Sequence, residues 1–486
     1  MPSDCAIPHG PRKRRWRLLS FLLLAHSIGF LSSIDALMST RTSQGAVAWI
    51  VSLNTIPYLS VPVYWVFGRD RFQGYVIARR DEDTALAIAM LDKTAELWSH
   101  RYDHGNNNPH LSGVEQLAKW PFLDGNKVSL LINGEQTFES IFAGIDAAER
   151  YLLVQFYLIN ADGLGHRLRE ALLRRAQQGI KVYFLYDEIG SYGLPSSYLQ
   201  SLRDGGVQVQ RFHSTRGTGN RFQLNFRNHR KIVVADGTQA WVGGLNVGDE
   251  YLGKHPRIGP WRDTHLKIEG PGALALQMTF LEDWHWATDM IPELEWQPAF
   301  HHDTNVPVLI LPTGPADRFE TASLMMQQSI HAAQQRIWIA SPYFVPDEGV
   351  QGMLKLAALN GVDVRILIPE VPDNPLLYYA AYAFIEPLLE AGVKIYRYQD
   401  GFLHGKAFLI DDRGAAVGTV NLDNRSFRLN FEVTAIVLDR QFANEVEAMF
   451  EEDFASSRQM LLGDIWRLSF WHRLASRAAY LLAPVL

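Results

Sequence analysis

Four short stretches of this sequence occur twice, in the same order, in its central and its C-terminal parts. The second copies follow the first at offsets of 186, 182, 186 and 175 residues. The paired stretches are 150–157 with 336–343, 178–182 with 360–364, 206–212 with 392–398, and 229–236 with 404–411. One such match would carry little weight, but four in order predict a repeated structural unit. We therefore expect a duplicated domain, with copies at residues 125–295 and 300–460.

Each predicted copy alternates short apolar stretches with helical ones. In the first copy, residues 151–158 are expected to form a strand, 165–178 a helix and 181–186 a second strand. This alternation is typical of layered α/β folds. A length of 486 residues with 47% hydrophobic content provides for sizeable cores. The expected fold class is therefore α/β.

The last of the four repeated stretches carries reactive side chains. In the first copy it predicts a strand on which His229 and Lys231, two residues apart, point to one face. That strand ends in a turn at Asp236, and Asn246 follows the return strand. A lone His-x-Lys pair is nearly always a surface accident, but here the pattern is repeated at matching distances. The second copy supplies His404, Lys406, Asp411 and Asn421.

These residue types suit the transfer of a phosphate ester. Lysine supplies positive charge for phosphate oxygens, and asparagine adds a neutral donor. One imidazole can attack phosphorus while the other protonates the leaving oxygen. Two-fold pseudo-symmetry would bring both sets onto one phosphate. No zinc-type spacing such as His-Glu-x-x-His occurs, so we predict no metal site.

Two uncharged apolar runs precede the repeats. They cover residues 18–34 and 46–67, and the second, of 22 residues, is long enough to cross a bilayer. Basic residues lie on the outer sides of both runs, whereas the connector holds only Arg41. The positive-inside rule then predicts a helical hairpin with both of its ends in the cytoplasm. Two alternatives stay open: the first run as a cleaved signal peptide, and the second, with its two prolines, as a re-entrant or interfacial segment.

Composition narrows the choice of partners. Lys+Arg total 46 against Asp+Glu 52, a net charge of −6. Nucleic-acid binders usually show a basic excess, so we expect no nucleic-acid partner. The single cysteine, Cys5, cannot form an internal disulfide.

The C-terminal residues 461–486 are predicted to form an amphipathic helix. Trp466, Phe470 and Leu474 recur at helical spacing, with arginines between them. Packing against the core and contact with anionic lipid are the two interpretations of such a stripe.

The doubled His-x-Lys-x4-Asp pattern, followed each time by a Gly-rich stretch and Asn, resembles the signature of the phospholipase D superfamily. More narrowly, the chain is similar to bacterial cardiolipin synthases over almost its whole length. One departure is Gly418-Thr419, where the family has a Gly-Ser type pair, although Thr keeps the hydroxyl. The matching stretches are Phe67-Gly-Arg69, Arg227-Asn-His-Arg-Lys231, Glu250-Tyr-Leu-Gly253, Trp261-Arg-Asp-Thr-His265, Ser341-Pro-Tyr-Phe-Val-Pro346, Gly401-Phe-Leu-His-Gly-Lys406 and Asn421-Leu-Asp-Asn-Arg-Ser-Phe427.

The resemblance implies an architecture. Duplicated phospholipase D-like α/β/α domains pack face to face as a pseudo-two-fold pair and share one active site. They follow an N-terminal transmembrane helical hairpin at residues 1–75 and a linker at 76–124.

The resemblance also implies roles for the site residues. One histidine forms a phosphohistidine intermediate, with neither a metal nor another cofactor. Asp263 and Glu432 each orient a histidine, and we take His229 as the nucleophile and His404 as the general acid/base. Lys231, Lys406, Asp236 and Asp411 complete the predicted catalytic set, although the motif aspartates are more structural in the superfamily. The predicted phosphate-binding residues are Asn246 and Asn421.

The implied reaction is transphosphatidylation. A histidine attacks the phosphate of phosphatidylglycerol, glycerol leaves, and the hydroxyl of a second phosphatidylglycerol displaces the enzyme to give cardiolipin. The expected partners are phosphatidylglycerol and other membrane phospholipids. The expected location is the bacterial inner membrane, multi-pass, with the catalytic domains on the cytoplasmic side. The alternatives are a hydrolase releasing phosphatidate and, less favoured, a superfamily nuclease or a non-catalytic lipid-binding scaffold.

Overall fold

The computed structural model describes residues 11–40, 43–68, 73–105, 109–212, 226–256 and 258–486. The described residues up to Ile77 form one compact unit, and those from Ala78 onward form a second. The sequence features noted at Cys5, Arg41 and Arg69 lie outside the described residues.

The N-terminal unit contains one long helix and one broken one. Helix α1 (Pro11–Ser39) is followed by α2 (Ser43–Thr55), α3 (Pro57–Val63) and a π-helical turn at Tyr64–Gly68. Within α1, Arg15–Ser39 is 25 residues long and contains an 18-residue stretch with a mean hydropathy of 1.6, long and apolar enough to cross a membrane. By itself this is weak support for a membrane span, because signal sequences and buried core helices share these properties.

The second apolar run is not one continuous helix, which corrects the expectation of a single span over residues 46–67. The helix stops at Thr55, and Ile56 adopts a non-helical conformation before Pro57 starts α3. Proline lacks the N–H that would continue the helix and clashes with the preceding turn.

Helices α1, α2 and α3 nevertheless pack together. A Cβ atom on Gly29 would lie 2.2 Å from the carbonyl oxygen of Leu53, so only glycine permits this close approach of α1 and α2. Asn54 Nδ2 donates to Ser33 Oγ at 2.7 Å, and Tyr64 Oη donates to Asp35 Oδ2 at 2.8 Å. Polar contacts between apolar helices of this kind fix their relative register.

Helices α4 and α5 occupy the stretch predicted as a linker. Arg79, on α4, is 2% exposed and pairs with Asp283, and Val114 and Ala118 of α5 belong to a hydrophobic cluster. From Ala78 this stretch is therefore part of the second compact unit. The remaining helices, with these two, are α4 (Gln73–Ser99), α5 (Pro109–Ala118), α6 (Asn133–Ala147), α7 (Gly163–Gln177), α8 (Ser196–Asp204), α9 (Pro271–Thr288), α10 (Thr321–Ala332), α11 (Glu348–Leu359), α12 (Pro375–Glu390), α13 (Asn424–Arg428), α14 (Arg440–Ala455), α15 (Leu462–Trp466) and α16 (Phe470–Tyr480).

The strands are short and mostly buried, as expected for segments rich in β-branched and aromatic residues. They are β1 (Leu123–Ile132), β2 (Tyr151–Phe156), β3 (Lys181–Asp187), β4 (Gln208–Phe212), β5 (Arg227–Asn228), β6 (Ile232–Ala235), β7 (Gln239–Gly243), β8 (Trp261–Arg262), β9 (Thr264–Glu269), β10 (Val306–Thr313), β11 (Arg336–Ala340), β12 (Phe344–Val345), β13 (Asp363–Pro369), β14 (Lys394–Tyr398), β15 (Phe402–Leu403), β16 (Ala407–Ile410), β17 (Gly414–Gly418), β18 (Leu422–Asp423), β19 (Asn430–Val437) and β20 (Ser457–Gln459).

Most strands join one mixed sheet. Its order is β20-β14-β13-β11-β16-β17-β19-β10-β1-β9-β7-β6-β2-β3-β4, with β1 and β10 antiparallel at its centre. The strands β2, β3 and β4 are parallel, as are β11, β13 and β14. Outward from β1 the strands are β9, β7, β6, β2, β3 and β4, and outward from β10 they are β19, β17, β16, β11, β13 and β14, followed by β20. Apart from β20, the two series correspond strand by strand in chain order. The predicted α/β class is confirmed, and the predicted ends of β2, α7 and β3 lie within two residues of the observed ends.

Two hydrophobic clusters fill the space between the sheet and its helices. One combines α6, α7 and α8 with β2 and β3, and the other combines α5, α10, α11 and α12 with β11 and β13. Two short parallel strand pairs stand out, because each joins distant parts of the chain. Strand β5 pairs with β19, and β8 pairs with β15.

Candidate active site

Both repeated motifs lie in irregular segments that lead into a strand. The prediction placed His229 and Lys231 on the strand itself, but β6 begins only at Ile232. The hydrogen bonds of His229 explain this. Its N–H donates to the Phe431 carbonyl at 2.9 Å, and its carbonyl accepts from Lys231 Nζ at 2.5 Å. These bonds occupy groups that strand pairing would need.

The second motif has the same local arrangement. His404 and Lys406 lie between β15 and β16, and β16 begins at Ala407. The His404 N–H donates to the Arg262 carbonyl at 2.7 Å, and Lys406 Nζ donates to the His404 carbonyl. The backbone N–H of each motif histidine is therefore bonded to a strand far away in sequence.

His229 is bonded to Glu432, 203 residues further along the chain. The His229 Nδ1–Glu432 Oε2 distance is 2.8 Å, and the Glu432 side chain on β19 is fully buried. The other carboxylate oxygen accepts from Ser426 Oγ at 2.9 Å and from Asn430 Nδ2 at 3.0 Å. Because the carboxylate accepts the hydrogen bond that Nδ1–H donates, Nε2 of His229 is left without a proton and available to react.

His404 is bonded to Asp263 in the matching way. The Nδ1–Oδ2 distance is 2.7 Å, and Asp263 also accepts from the Thr264 N–H at 2.8 Å. The Trp261 ring lies 5.2 Å from the His404 ring and closes one side of the site. Asp263 is fully buried, as Glu432 is.

Each histidine is therefore paired with a carboxylate from the other part of the sheet. Pairing of β5 with β19 brings Asn228 opposite Phe431, so that His229 follows directly beside Glu432. Pairing of β8 with β15 brings Arg262 opposite Leu403, so that His404 stands beside Asp263. The family resemblance implies both carboxylates, but the sequence does not show which histidine each one meets.

The predicted lysines and asparagines border the same cluster. Lys231 and Lys406 are 0% and 3% exposed. Asn246 Nδ2 donates to Tyr251 Oη at 2.9 Å, and the Tyr251 ring lies 6.3 Å from the His404 ring. Asn421 is buried, and its Oδ1 has no hydrogen-bond partner among the described residues. An unpaired buried amide oxygen is costly, which fits a site that receives a polar ligand.

Burial sets the protonation of the histidines. It lowers the pKa of His229 to about 4, together with the charge of Lys231 and against the pull of Glu432. Burial and the charge of Lys406 lower the pKa of His404 to about 3. Both imidazoles are thus neutral at pH 7 before substrate binds, as a nucleophile requires. The charge of Lys406 also acts on His229, and that of Lys231 on His404, so the two motifs lie within electrostatic reach of each other.

The two orienting carboxylates remain ionised. Burial alone would raise the pKa of Asp263 and of Glu432, but the interaction with the neighbouring histidine, including its hydrogen bond, and the charge of the neighbouring lysine lower both. Burial lowers the pKa of Lys406 to about 8, against the attraction of Asp263 and Glu432. Among the described residues, no group of three or more His, Cys, Asp or Glu side chains is placed to hold a metal ion.

The structure does not bring the two motif aspartates to the histidines, which corrects their grouping with the catalytic residues. Asp236 accepts from the backbone N–H groups of residues 149, 150 and 151 at 2.7–2.8 Å. Asp411 accepts from those of residues 334, 335 and 336 at 2.8–3.2 Å. Both have positive φ angles, 54° and 51°, at the hairpin turn, at the opposite end of β6 or β16 from the histidine. They tie the start of β2 or β11 to that turn.

A buried polar cluster beside His229 was not predicted. Asp283 on α9 is 0% exposed and accepts from Arg79, Arg230 and Asn228 at 2.7–2.9 Å. The residues on both sides of His229 are thereby fixed. Asn228 and Arg230 were visible as neighbours of the motif, but nothing in the apolar pattern of α9 marks Asp283.

Comparison with known proteins gives this geometry a context. Residues 326–454 match the family described as "Cardiolipin synthase, PLD-like domain". Among solved structures, phosphatidylserine synthase of Haemophilus influenzae aligns with a TM-score of 0.59 at 16% identity, covering 78% of this chain and all of that one. At that identity the similarity shows a shared fold.

Curated relatives are much nearer. Cardiolipin synthase A of Pseudomonas putida KT2440 is 47% identical over 466 residues, covering 95% of this chain and 97% of the relative. Cardiolipin synthase A of Pseudomonas aeruginosa LESB58 is 46% identical over 462 residues, with 94% of each chain covered. Together with the doubled His–Lys site, this near-complete coverage means that the chain belongs to the bacterial cardiolipin synthase family of the phospholipase D superfamily.

Proposed function

We propose that this protein is a cardiolipin synthase that moves a phosphatidyl group from one phosphatidylglycerol to another. The observation that carries the proposal is the crossed arrangement of two histidine–carboxylate pairs, His229–Glu432 and His404–Asp263, each beside a buried lysine. This cluster provides one imidazole to attack phosphorus, a second to carry protons and two lysines for the phosphate oxygens, as a double displacement at a phosphodiester requires.

The reaction takes two displacements. In the first, His404 takes up a proton from solvent as the anionic phosphate binds, because the negative charges of the phosphate and of Asp263 favour the imidazolium. Nε2 of His229 then attacks phosphorus, and the P–O bond to glycerol breaks while His404 gives the leaving oxygen that proton. In the second, a glycerol hydroxyl of another phosphatidylglycerol attacks phosphorus and passes its proton to Nε2 of His404, and the P–N bond to His229 breaks to release cardiolipin. The lysines and asparagines offset the charge that develops on the phosphate oxygens. The choice of His229 as nucleophile rests on family resemblance, because both histidines have the same kind of surroundings.

The matching strand order on the two sides of the β1–β10 pair supports a duplicated domain. We place its copies at 125–295 and 300–460, packed as a pseudo-two-fold pair that shares one site. The carboxylate exchange through β5–β19 and β8–β15 is the contact expected of such a pair.

The location follows from the substrates and the N-terminal unit. A helix long enough to span a bilayer and a broken apolar segment packed against it support a membrane hairpin. The proposed orientation, with the catalytic unit on the cytoplasmic side of a bacterial inner membrane, rests on the basic residues flanking the two runs.

A product assay in phosphatidylglycerol vesicles tests the proposal. Wild-type protein should release glycerol and form cardiolipin in equal amounts, and both products should vanish in His229→Ala and in His404→Ala. His302→Ala, which removes an exposed histidine, is the matched control and should remain active. Phosphatidate formed without cardiolipin would instead establish a hydrolase.

A further inference from the structure

Helix α16 presents apolar side chains on the side opposite to its packing face. Ser476 and Ala479 are buried, and α16 packs against α12. Phe470, Leu474 and Leu481 are 65%, 48% and 77% exposed, and at 100° per residue they lie within about 40° of one another. A surface helix of a soluble protein normally turns a polar face outward, so packing within the second compact unit does not explain this outward apolar stripe.

Two tryptophans extend the stripe. Trp466, at the end of α15, is 65% exposed, and Trp471 is 74% exposed. We call the five residues Trp466, Phe470, Trp471, Leu474 and Leu481 the C-terminal patch. A contiguous exposed patch of large apolar side chains marks an interaction surface.

The charged side chains within the C-terminal stretch itself are all positive. Residues 465–486 contain three arginines and no Asp or Glu. Arg473 and Arg477, one helical turn apart on α16, are exposed, and neither forms an ion pair with any described residue. At 100° per residue, Arg477 lies about 20° and Arg473 about 60° from Phe470, so in a chain of net charge −6 two cations lie along the apolar stripe and its margin.

We propose that the C-terminal patch lies in the headgroup region of an anionic phospholipid bilayer, with Arg473 and Arg477 at the lipid phosphates. Tryptophan, phenylalanine and leucine on one face with arginine beside them are the composition of an interfacial helix. A second copy of the chain fits less well, because a two-fold contact between identical patches would bring arginines against arginines. The contact goes beyond the proposed reaction, since these lipids are held without being converted.

A series of contacts connects α16 with the candidate active site. The His472 ring lies 4.6–6.1 Å from the rings of Tyr378, Tyr379 and Tyr382 on α12. Tyr378 lines a small cavity together with Tyr343 and Asp373. Tyr343 donates to Asp373 at 2.5 Å, and the charge of Asp373 acts on Lys406. Docking of the patch would therefore place this side of the site next to the lipid that supplies its substrate.

Site-directed spin labelling of the full-length chain in vesicles tests the docking. Cys5→Ser provides a cysteine-free background, to which Leu474→Cys adds a label in the patch. Gln200→Cys, exposed on α8, is the matched control. In phosphatidylglycerol vesicles, the label at position 474 should collide more with oxygen and less with a nickel chelate. The label at position 200 should stay accessible to the chelate.

The arginines give a second, independent measurement. With Arg473→Gln and Arg477→Gln together, the inserted fraction of the label at 474 should fall by roughly ten-fold or more. Glutamine keeps the helix propensity of arginine, so folding should be unaffected. Cardiolipin synthesis from a water-soluble short-chain phosphatidylglycerol should be unchanged, whereas synthesis from long-chain vesicles should fall.

Three results would overturn the docking proposal. They are a label at 474 as accessible to the chelate as that at 200, equal insertion into pure phosphatidylcholine vesicles, and protection at 474 that depends on protein concentration in detergent. None of these results bears on the proposed reaction, because the short-chain assay reports the chemistry separately.

Discussion

Each active-site histidine meets a buried carboxylate that acts on it in two ways. The carboxylate fixes the ring by accepting from Nδ1, and its charge favours the imidazolium that forms when Nε2 takes up a proton. At His229 this carboxylate is itself held by Ser426 and Asn430, so its position is set before substrate arrives.

The substitution Glu432→Gln should therefore lower kcat strongly while leaving the fold intact. The amide keeps the shape but loses the charge, and its NH2 group can reverse the hydrogen bond to Nδ1. Comparable changes in other histidine–carboxylate pairs cost about 10²–10⁴ in rate. Initial rates of cardiolipin formation measure the effect, and Glu445→Gln, an exposed residue on α14, is the control. An unchanged rate in Glu432→Gln would remove the orienting role.

Lys406 should give the reaction a basic limit no higher than about pH 8. Its pKa is lowered to about 8 by burial, so the ammonium is charged below that pH and loses its charge above it. Burial also lowers the pKa of Lys231 well below its usual value, so the second lysine can only bring the limit lower. Because the charge is needed for phosphate binding, kcat/KM should fall tenfold per pH unit above the limit. A pH–rate profile checks this, and Lys406→Arg, if active, should move the limit upward. A flat profile to pH 10 would contradict the prediction.

The hairpin turns are elements whose importance is structural. Asp236 accepts from three successive backbone N–H groups at the start of β2, as Asp411 does at the start of β11. The motif predicts these two aspartates, because each one follows its histidine at the same distance along the chain. Spacing along a chain does not reveal that a four-residue strand separates them from the chemistry.

Asp236→Asn should accordingly destabilise the protein more than it slows the reaction. Loss of charged hydrogen-bond acceptance is worth roughly 1–3 kcal/mol of unfolding free energy, less at this half-exposed position than in a core. Thermal unfolding should show a lower Tm, with the rate per folded molecule within a few-fold of wild type. Asp412→Asn, in an exposed ion pair with Arg440, is the control for a turn carboxylate. A large loss of rate at unchanged Tm would restore a catalytic role to Asp236.

The sequence predicts the extent of a regular helix or strand better than it predicts where one element breaks into two. The periodicity of residues 151–186 predicted β2, α7 and β3 to within two residues, because local hydrophobic spacing determines these elements. The apolar run at 46–67 is equally continuous in composition, yet the helix stops at Thr55. Pro57 was visible there, but composition alone does not decide whether a proline kinks a helix or divides it.

At the level of the whole molecule, the two parts of the sheet complete each other. Each histidine depends on a carboxylate from the other part, through β5–β19 and β8–β15. The repeats predicted a shared site, and the resemblance named Asp263 and Glu432. Neither could show the crossing, because a contact between residues 229 and 432 is a property of three-dimensional packing and leaves no local signal.

Mixing inactive variants tests whether one chain holds the complete site. His229→Ala and His404→Ala proteins, combined in the same vesicles, should form no cardiolipin, because each chain lacks one of its two histidines. Wild-type protein diluted with either variant should lose activity only in proportion. Recovered synthesis in the mixture would show that the parts exchange between chains and that the site forms across two copies.

The exchanged carboxylates also differ in length: His229 meets a glutamate and His404 an aspartate. Two identical chains related by a symmetry axis would have to give both histidines the same residue. A single chain is free of that restriction, and each imidazole can acquire its own basicity through a mutation that leaves the other untouched. The covalent joining of the two parts thus turns an equivalent pair into one whose members can specialise, one for bond formation to phosphorus and the other for carrying protons.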